Sequence, residues 1–356
     1  MPMFDKKNIA NREKVANHYI TQLYKQDRHF IPGIFWEAAL KKINENYINF
    51  GTKNFRNDEI NLQFFVPTFG PPGNGLTEEC IKSLLNPNIQ KYDKKQKGFM
   101  SKSLRGHFHA EADYRTLMAS MAGKKLSYFS EFSESKYGSP IEQFRFEGRD
   151  FSRSSLNYLL GLAFLKSVDP LFIPRTTLEI GGGFGTLGEI LGKSDIENVK
   201  YIDLDLPPMF LIAEDYIKKS FKSDVNIFDH LTNQFSEVII RDLPMFSFLP
   251  NWKIRDFRGK IDLFVNFISF QEMEPKIVKK YLTEVMRLKP KYILLRNLRE
   301  GKQVSKNGSL GVRAPVKTSN YLSYLPSYKL VKSNVLPFGY ITSDNFHSEL
   351  LVFKRK

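Results

Sequence analysis

A glycine-rich turn in the middle of the chain has the residue types and the spacing of a ligand site. Gly181, Gly182, Gly183 and Gly185 follow an apolar run that ends at Ile180. Glycine lets the backbone approach a ligand without an intervening Cβ, and it tolerates positive φ. The helix expected after the turn presents unpaired N–H groups and a partial positive charge. The turn therefore predicts a site for a nucleotide-like ligand.

Two carboxylates follow the turn at the distance that such a site needs. Asp203 stands eighteen residues after Gly185, and Asp205 comes next at the end of an apolar strand. A carboxylate in this place accepts hydrogen bonds from ribose hydroxyls in dinucleotide-type folds. Alternation along the strand puts both side chains on one face. A glycine-rich turn that binds no ligand is the alternative interpretation.

An acidic residue two positions before the first glycine separates two candidate ligands. Residues 183–188 match the GxGxxG pattern of NAD-binding folds, which is a weak signal when it stands alone. Glu179 lies at the end of a buried strand, where a glutamate is costly unless it meets a cation, and NAD supplies none. The longer pattern Glu179-x-Gly181-x-Gly183-x-Gly185 resembles motif I of class I S-adenosylmethionine-dependent methyltransferases. The resemblance implies S-adenosylmethionine as the cofactor, with Glu179 near its ammonium group.

The motif that ends the second strand extends this resemblance. Asp205-Leu206-Pro207 is similar to the Asp-Leu-Pro of many O-methyltransferases. The similarity implies that Asp205 binds the ribose and that Asp203 is a neighbouring support or a solvent-facing residue near the strand end.

Polar residues near the next two strands are further cofactor candidates. Asn251 and Trp252 follow the third strand, where the adenine would lie, so an amide contact and stacking are expected. A core tryptophan is the alternative for Trp252. Asn266 lies within the fourth strand, and either a hydrogen bond to cofactor or acceptor or a satisfied buried amide would explain it.

The catalytic base is expected just beyond the fourth strand, because ligands bind outside the carboxyl ends of strands in open α/β sheets. Methyl transfer to a hydroxyl needs close alignment and removal of the hydroxyl proton. Similar O-methyltransferases have a histidine here, whereas this sequence has Gln271 and Glu272. Gln271 cannot take a proton. Glu272 can if desolvation raises its pKa, or it caps the helix that Pro275 begins.

A second candidate for the base lies in the N-terminal part of the chain. His107 and His109 have i, i+2 spacing, followed by Glu111 and Asp113. A lone pair of histidines without a third ligand is an unspecific metal signal, and near a helix start it is more often capping. We therefore expect no metal and treat His107 as a candidate base or acceptor-binding residue.

The elements that position these residues alternate between strands and helices from residue 151 onward. Such alternation of apolar strands with helices is typical of a parallel sheet that is covered on both faces. Residues 328–338 and 348–356 follow each other without a helix and are predicted to pair antiparallel. The predicted fold is α/β, a Rossmann-like class I methyltransferase sheet, mostly parallel with an antiparallel last strand.

The sequence predicts a boundary between two parts of the chain near residue 150. Residues 1–150 are expected to form a helical and loop-rich acceptor and lid region, and residues 151–356 a domain that binds S-adenosylmethionine. Within the first part, 128–144 is the predicted lid, because it combines aromatic with polar residues. Segment 64–75 is rich in proline and glycine and is expected to be irregular. Helices are predicted at 6–27, 34–48, 77–85 and 109–123.

Composition limits the functional classes. Cys80 is the only cysteine in 356 residues, which fits a reducing compartment and excludes an internal disulfide. No secretory signal and no apolar run of about 20 residues is visible, so the cytoplasm is the expected location and no transmembrane segment is expected. The net charge of +15 favours either a phosphate-bearing partner or a lysine-rich solvated surface. The sequence leaves the oligomeric state open.

Several segments together resemble the bacterial sugar O-methyltransferase family over roughly residues 130–356. They are LEIGGGFGTLGEIL, YIDLDLPPMFLIAEDYI, FLPNW, IDLFVNFISFQEM and SELLVFKR. The resemblance implies methyl transfer to a sugar hydroxyl of a surface glycan, as in polysaccharide biosynthesis, or of a glycosylated metabolite. A nucleic-acid methyltransferase is the first alternative, but the chain lacks an Asn-Pro-Pro-Tyr motif and an RNA-binding module. An NAD-dependent oxidoreductase acting on a sugar nucleotide and a non-catalytic binding protein are the others.

Overall fold

The computed structural model describes residues 3–58, 61–62, 64, 78–86, 91–121, 131–221, 225–231, 236–305 and 311–356. Most of the predicted irregular segment 64–75 and the start of the predicted lid lie outside these residues. The helices are α1 (Met3–Leu23), α2 (Ile34–Phe50), α3 (Glu78–Leu85), α4 (Lys94–Leu104), α5 (His107–Met121), α6 (Arg153–Lys166), α7 (Thr186–Gly192), α8 (Met209–Ser220), α9 (Pro275–Arg287) and α10 (Thr318–Tyr324). The strands are β1 (Gln143–Phe146), β2 (Arg149–Ser152), β3 (Thr176–Ile180), β4 (Lys200–Asp205), β5 (Val238–Ile239), β6 (Phe246–Pro250), β7 (Phe257–Arg258), β8 (Leu263–Phe267), β9 (Tyr292–Leu298), β10 (Tyr328–Asn334), β11 (Tyr340–Ile341) and β12 (His347–Arg355).

The central sheet has the order β6-β4-β3-β8-β9-β12-β10, with β11 beside β12. Strands β6, β4, β3, β8 and β9 are parallel to one another, whereas β12 runs antiparallel to both β9 and β10. The first strand of the sheet, β3, is therefore central, and the chain winds outward from it on both sides. This topology confirms the predicted Rossmann-like, mostly parallel sheet with an antiparallel last strand. It also brings the carboxyl ends of these five parallel strands to one edge.

The parallel strands of the sheet are buried on both faces, which explains their nearly continuous apolar sequences. Every residue of β6 and of β8 is buried. Helix α6 covers one part of the sheet and is itself buried along most of its length. The Ser152 hydroxyl accepts a hydrogen bond from Ser155 N at 3.1 Å and so caps α6, as its position before the apolar run predicts.

The N-terminal region is helical, as predicted, and it packs onto the sheet half of the chain. Leu23, Ile43 and Leu117 of this region belong to the same buried apolar cluster as the core of the sheet. The predicted boundary near residue 150 stays a prediction, because this cluster continues across it. Among the described residues, no helix has the length and apolar character needed to cross a membrane.

Candidate functional site: a cavity at the carboxyl edge of the sheet

A cavity of about 1030 Å³, counting its space open to solvent, lies where the carboxyl ends of the parallel strands meet. Its lining includes residues 180–184, 204–206 and 267–269, at the carboxyl ends of β3, β4 and β8. Helix α6 contributes one wall. Residues 29–33 of the N-terminal region also line the cavity. The cavity thus occupies the place in which open α/β sheets bind ligands.

Glycine is required at positions of this turn by the backbone conformation and by close neighbouring atoms. Gly181 has a φ of +74° and Gly183 a φ of +63°, both in the region that favours glycine. A Cβ on Gly181 would lie 2.4 Å from Ser269 Oγ, and a Cβ on Gly182 would lie 2.6 Å from the Tyr201 hydroxyl. Gly181, Gly182 and Gly183 line the cavity, whereas Gly185 is the N-cap of α7 and does not.

The two aspartates at the end of β4 have different positions. Asp205 lines the cavity, and its carboxylate accepts hydrogen bonds from Leu206 N at 2.7 Å and Gly183 N at 3.3 Å. Burial raises the pKa of Asp205 to about 7, and the charge of Glu272 acts in the same direction. Asp203 does not line the cavity. Its Oδ1 accepts from Gly182 N at 3.1 Å, so Asp203 supports the turn from behind.

Glu179 has no cation beside it in the described structure, and tyrosines take that place. Its carboxylate accepts hydrogen bonds from the Tyr158 hydroxyl at 2.7 Å and from the Tyr201 hydroxyl at 2.5 Å. Burial raises the pKa of Glu179 to about 7. Tyr158 lines the cavity, whereas Glu179 does not. Two hydroxyl donors therefore satisfy this buried glutamate, in place of the cation that its burial predicts.

Of the two candidate residues that follow β6, one lines the cavity and the other lies in the core. Asn251 lines the cavity, and its Nδ2 donates to Phe30 O at 2.9 Å and to the Tyr281 hydroxyl at 2.7 Å. Its buried Oδ1 has no hydrogen-bond partner within the described part of the chain. Trp252 is buried outside the cavity lining, which fits the core interpretation.

Asn266 and Gln271 hold the loop after β8 in place and do not line the cavity. Asn266 Nδ2 donates to Ile180 O at 2.9 Å, and Asn266 Oδ1 accepts from Phe270 N at 3.1 Å. Gln271 Oε1 accepts from Leu298 N at 2.8 Å and so ties the loop to β9. The side-chain oxygen of Gln271 is thus used in the backbone network, and a catalytic role for this residue stays a prediction.

Glu272 lines the cavity, and its carboxylate lies 2.6 Å from Lys302 Nζ. The ammonium of Lys302 also lies over the ring of Phe35, 3.7 Å from its centroid. Glu272 does not cap α9, whose N-cap residue is Glu274. The capping interpretation is therefore wrong, and the role of Glu272 as a base stays a prediction.

His107 lies away from the cavity, at the start of α5. Its ring packs against the rings of Phe144 and Phe146, with centroids 5.8 Å apart in both cases. The structure does not bring it into the cavity lining, and a catalytic or acceptor-binding role for His107 stays a prediction. Within the described ranges, no group of three or more His, Cys, Asp or Glu side chains could hold a metal ion.

The described part of the predicted lid lies outside the cavity lining. In the described part of 128–144, Glu134 accepts from Ser152 N, and Ser135 N donates to Glu189 Oε1 at 2.7 Å. None of these residues lines the cavity. The aromatic residues that do so from the N-terminal side are Phe30, Trp36 and Phe64. Their sequence context gave no signal of this role, because amphipathic helices also place aromatic residues in ordinary cores.

The loop after β8 contains a strained residue that sequence reasoning missed. Ile268 lines the cavity with a φ of +73° and a ψ of −39°, a conformation that is rare for a β-branched residue. Its backbone N–H donates to Arg296 O at 2.7 Å, which helps to hold the turn. Residues in such conformations concentrate at functional sites.

No family model matches the chain, and no curated protein matches it. Among solved structures, it is similar to magnesium protoporphyrin IX methyltransferase from Synechocystis PCC 6803 with bound S-adenosylmethionine. That match has 11% identity and a TM-score of 0.38, and it covers 57% of this chain and 81% of that one. The mitomycin 7-O-methyltransferase is similar at 11% identity and a TM-score of 0.34, over 78% of this chain and 75% of that one.

An S-adenosylmethionine-dependent methyltransferase from Clostridium acetobutylicum ATCC 824 is similar at 12% identity and a TM-score of 0.34. That match covers 55% of this chain and 90% of the other. At such distances the likeness carries no functional argument for this chain. Its fold class follows from its own strand order.

Proposed function

We propose that the protein is an S-adenosylmethionine-dependent methyltransferase that transfers a methyl group to a sugar hydroxyl. The observation that carries the proposal is the combination of a glycine turn, Asp205 and the unpartnered Oδ1 of Asn251 around one cavity. An adenosyl group needs these three features: close backbone approach, an acceptor for ribose hydroxyls and an acceptor for the adenine amino group.

The residues present fit this cofactor. Asp205 would hold the ribose, Asn251 Oδ1 would accept from the adenine amino group, and Gly181 to Gly183 would leave room for the chain between them. When bound, S-adenosylmethionine supplies an electrophilic methyl group on a sulfonium. Tyr158 faces the cavity from α6 with its hydroxyl on Glu179, so Glu179 would act on the ligand through this tyrosine.

The acceptor side of the cavity lies between the loop after β8 and the N-terminal region. Glu272 is the described carboxylate on this side, and as a base it would take the hydroxyl proton while Lys302 balances its charge. Trp36 and Phe64 both line the cavity, with ring centroids 5.9 Å apart. Aromatic faces of this kind suit the C–H face of a sugar ring.

A second candidate acceptor is an aromatic hydroxyl. The specific observation in its favour is the apolar character of this side, where Ile31, Pro32, Met273 and Ile277 line the cavity beside the aromatic rings. A flat apolar ring would bury more of its surface here than a polyhydroxylated one would.

Calorimetry with S-adenosylmethionine, S-adenosylhomocysteine and NAD tests the cofactor. Binding of the first two ligands and loss of that binding in Asp205→Ala are expected, while binding of NAD alone would overturn the proposal. Methyl transfer from labelled cofactor to a panel of sugars, sugar nucleotides and phenols then separates the two acceptor classes. Turnover of phenols without turnover of any sugar would establish the second candidate.

A further inference from the structure

Arg296 is a buried cation without an acidic partner. It lies on β9 with its side chain fully buried, and its Nη1 donates to Asn157 Oδ1 at 2.9 Å. Its Nη2 donates to two backbone carbonyls, Asn157 O at 3.1 Å and Phe338 O at 2.7 Å. Within the described chain, no carboxylate lies within ion-pair distance of it, and its Nε has no hydrogen-bond partner.

The acidic residue that influences Arg296 from a distance already has its own partner. Asp113 Oδ2 accepts from Arg153 Nε at 3.2 Å. Burial accordingly lowers the pKa of Arg296 to about 10. A buried charge is retained at a cost unless an opposite charge compensates it. The position of Arg296 therefore calls for an anion that the described protein does not provide.

Asn157 connects this cation to the cavity. Arginine has only donors, so the amide oxygen of Asn157 must face Arg296 and the amide nitrogen must point away from it. Asn157 lines the cavity, is 3% exposed, and its Nδ2 has no partner within the described residues. Ser154 lies one turn earlier on α6 and lines the same cavity.

We propose that Asn157 Nδ2, oriented and polarised by Arg296, is the donor of a carboxylate-binding subsite in this cavity. Its ligand is the α-carboxylate of the amino-acid part of the cofactor, so the inference rests on the proposed function. The amide supplies the direct hydrogen bond, and the guanidinium behind it supplies the positive charge in a region of low dielectric constant. Arg296 is thus a positioning residue that acts through Asn157.

Two nucleosides test this subsite, because they differ in the amino-acid group. S-adenosylhomocysteine carries the carboxylate, whereas 5′-methylthioadenosine lacks the whole amino-acid part. Asn157→Asp keeps the shape of the side chain, gives Arg296 an acidic partner and repels a carboxylate. We expect this substitution to weaken S-adenosylhomocysteine binding by tenfold or more in calorimetry and to change 5′-methylthioadenosine binding by less than about twofold.

Asn226→Asp is the control, since it makes the same charge change at an exposed loop position. It should change neither affinity. Asn157→Ser is a second variant that removes the amide donor without adding charge, and it should also weaken only S-adenosylhomocysteine binding. It keeps the test decisive if Asn157→Asp does not fold.

The outcomes separate this inference from the function on which it rests. Equal losses for both nucleosides, or no loss for either, would overturn the subsite and leave the cofactor proposal intact. Wild-type protein that binds neither nucleoside would overturn the cofactor proposal and the subsite with it. An Asn157 that is merely structural would lower the melting temperature without distinguishing the two ligands.

Discussion

The guanidinium of Arg56 lies over the ring of Phe184, 4.7 Å from its centroid. Phe184 belongs to the glycine turn and lines the cavity. Arg56 comes from the N-terminal region and also donates to Glu142 Oε1 at 2.6 Å and to Glu134 Oε1 at 3.0 Å, all within the buried interior. The N-terminal region is therefore fixed to the glycine turn through a buried ionic network.

Removing the cation from this network should destabilise the whole protein. Arg56→Met leaves two buried carboxylates without their partner, and breaking a buried ion pair in this way costs about 3–5 kcal/mol. We expect a loss of this size in the free energy of unfolding, measured by urea denaturation. Arg115→Met is the matched control, because Arg115 pairs with Glu111 at the surface with its side chain 77% exposed. For Arg115→Met we expect a change below about 1 kcal/mol in the free energy of unfolding. An equally small change for Arg56→Met would contradict the conclusion that the buried network stabilises the protein.

Asp205 should make stability depend on pH. Its folded-state pKa is about 7, whereas an unfolded aspartate titrates near about 4. The folded state thus binds the proton more tightly, so this contribution to stability is fully present below about pH 4 and is lost as the pH rises through about 7. Asp205→Asn removes this titrating carboxyl group. In calorimetric scans of the ligand-free protein, the melting temperature of this variant should therefore fall less steeply between about pH 4 and about pH 7 than that of the wild type. An unchanged slope would show that Asp205 is ionised throughout.

Local patterns in the sequence were sufficient for the sheet, the glycine turn and the cap at Ser152. These features depend on residues close together in the chain, and strand–helix alternation limits the possible topologies. The position of Asp205 in the cavity was also foreseen, since it follows from the end of β4.

Side-chain partners from distant parts of the chain were not foreseeable. Glu179 meets Tyr158 and Tyr201, which are 21 and 22 residues away in sequence. Glu272 meets Lys302, 30 residues away. No spacing rule predicts such pairs, because they depend on how helices, strands and loops pack together in three dimensions. The same limit applies to His107 and to the described part of 128–144, which lie outside the cavity lining.

Glu272 should be needed for turnover and not for cofactor binding. Glu272→Gln keeps the size of the side chain but cannot accept the hydroxyl proton, so we expect kcat to fall by about 100-fold or more. S-adenosylhomocysteine affinity should change by less than about twofold in calorimetry. Glu274→Gln is the control, because Glu274 accepts from the backbone N–H groups of Arg313 and Ala314 and does not line the cavity. Equal activity of Glu272→Gln and Glu274→Gln would remove Glu272 as the base.

Substitutions at Ile268 should show that the backbone of the loop after β8 is strained. At most positions glycine is less stable than alanine by about 0.5–1 kcal/mol, because it loses more backbone freedom on folding. At Ile268, with its φ of +73°, any Cβ is unfavourable, at a cost of about 1–3 kcal/mol. Ile268→Gly and Ile268→Ala remove the same branched side chain and differ only in that atom.

We therefore expect Ile268→Gly to be more stable than Ile268→Ala by about 1 kcal/mol in urea denaturation, the reverse of the usual order. The usual order would mean that the loop relaxes freely and that its conformation is not fixed. Strain is retained here because Ile268 N is held by Arg296 O, and Ser269 Oγ donates to Ile180 O at 3.0 Å. These bonds keep the loop pressed against the glycine turn, where Ser269 and Gly181 leave no space for a further carbon atom.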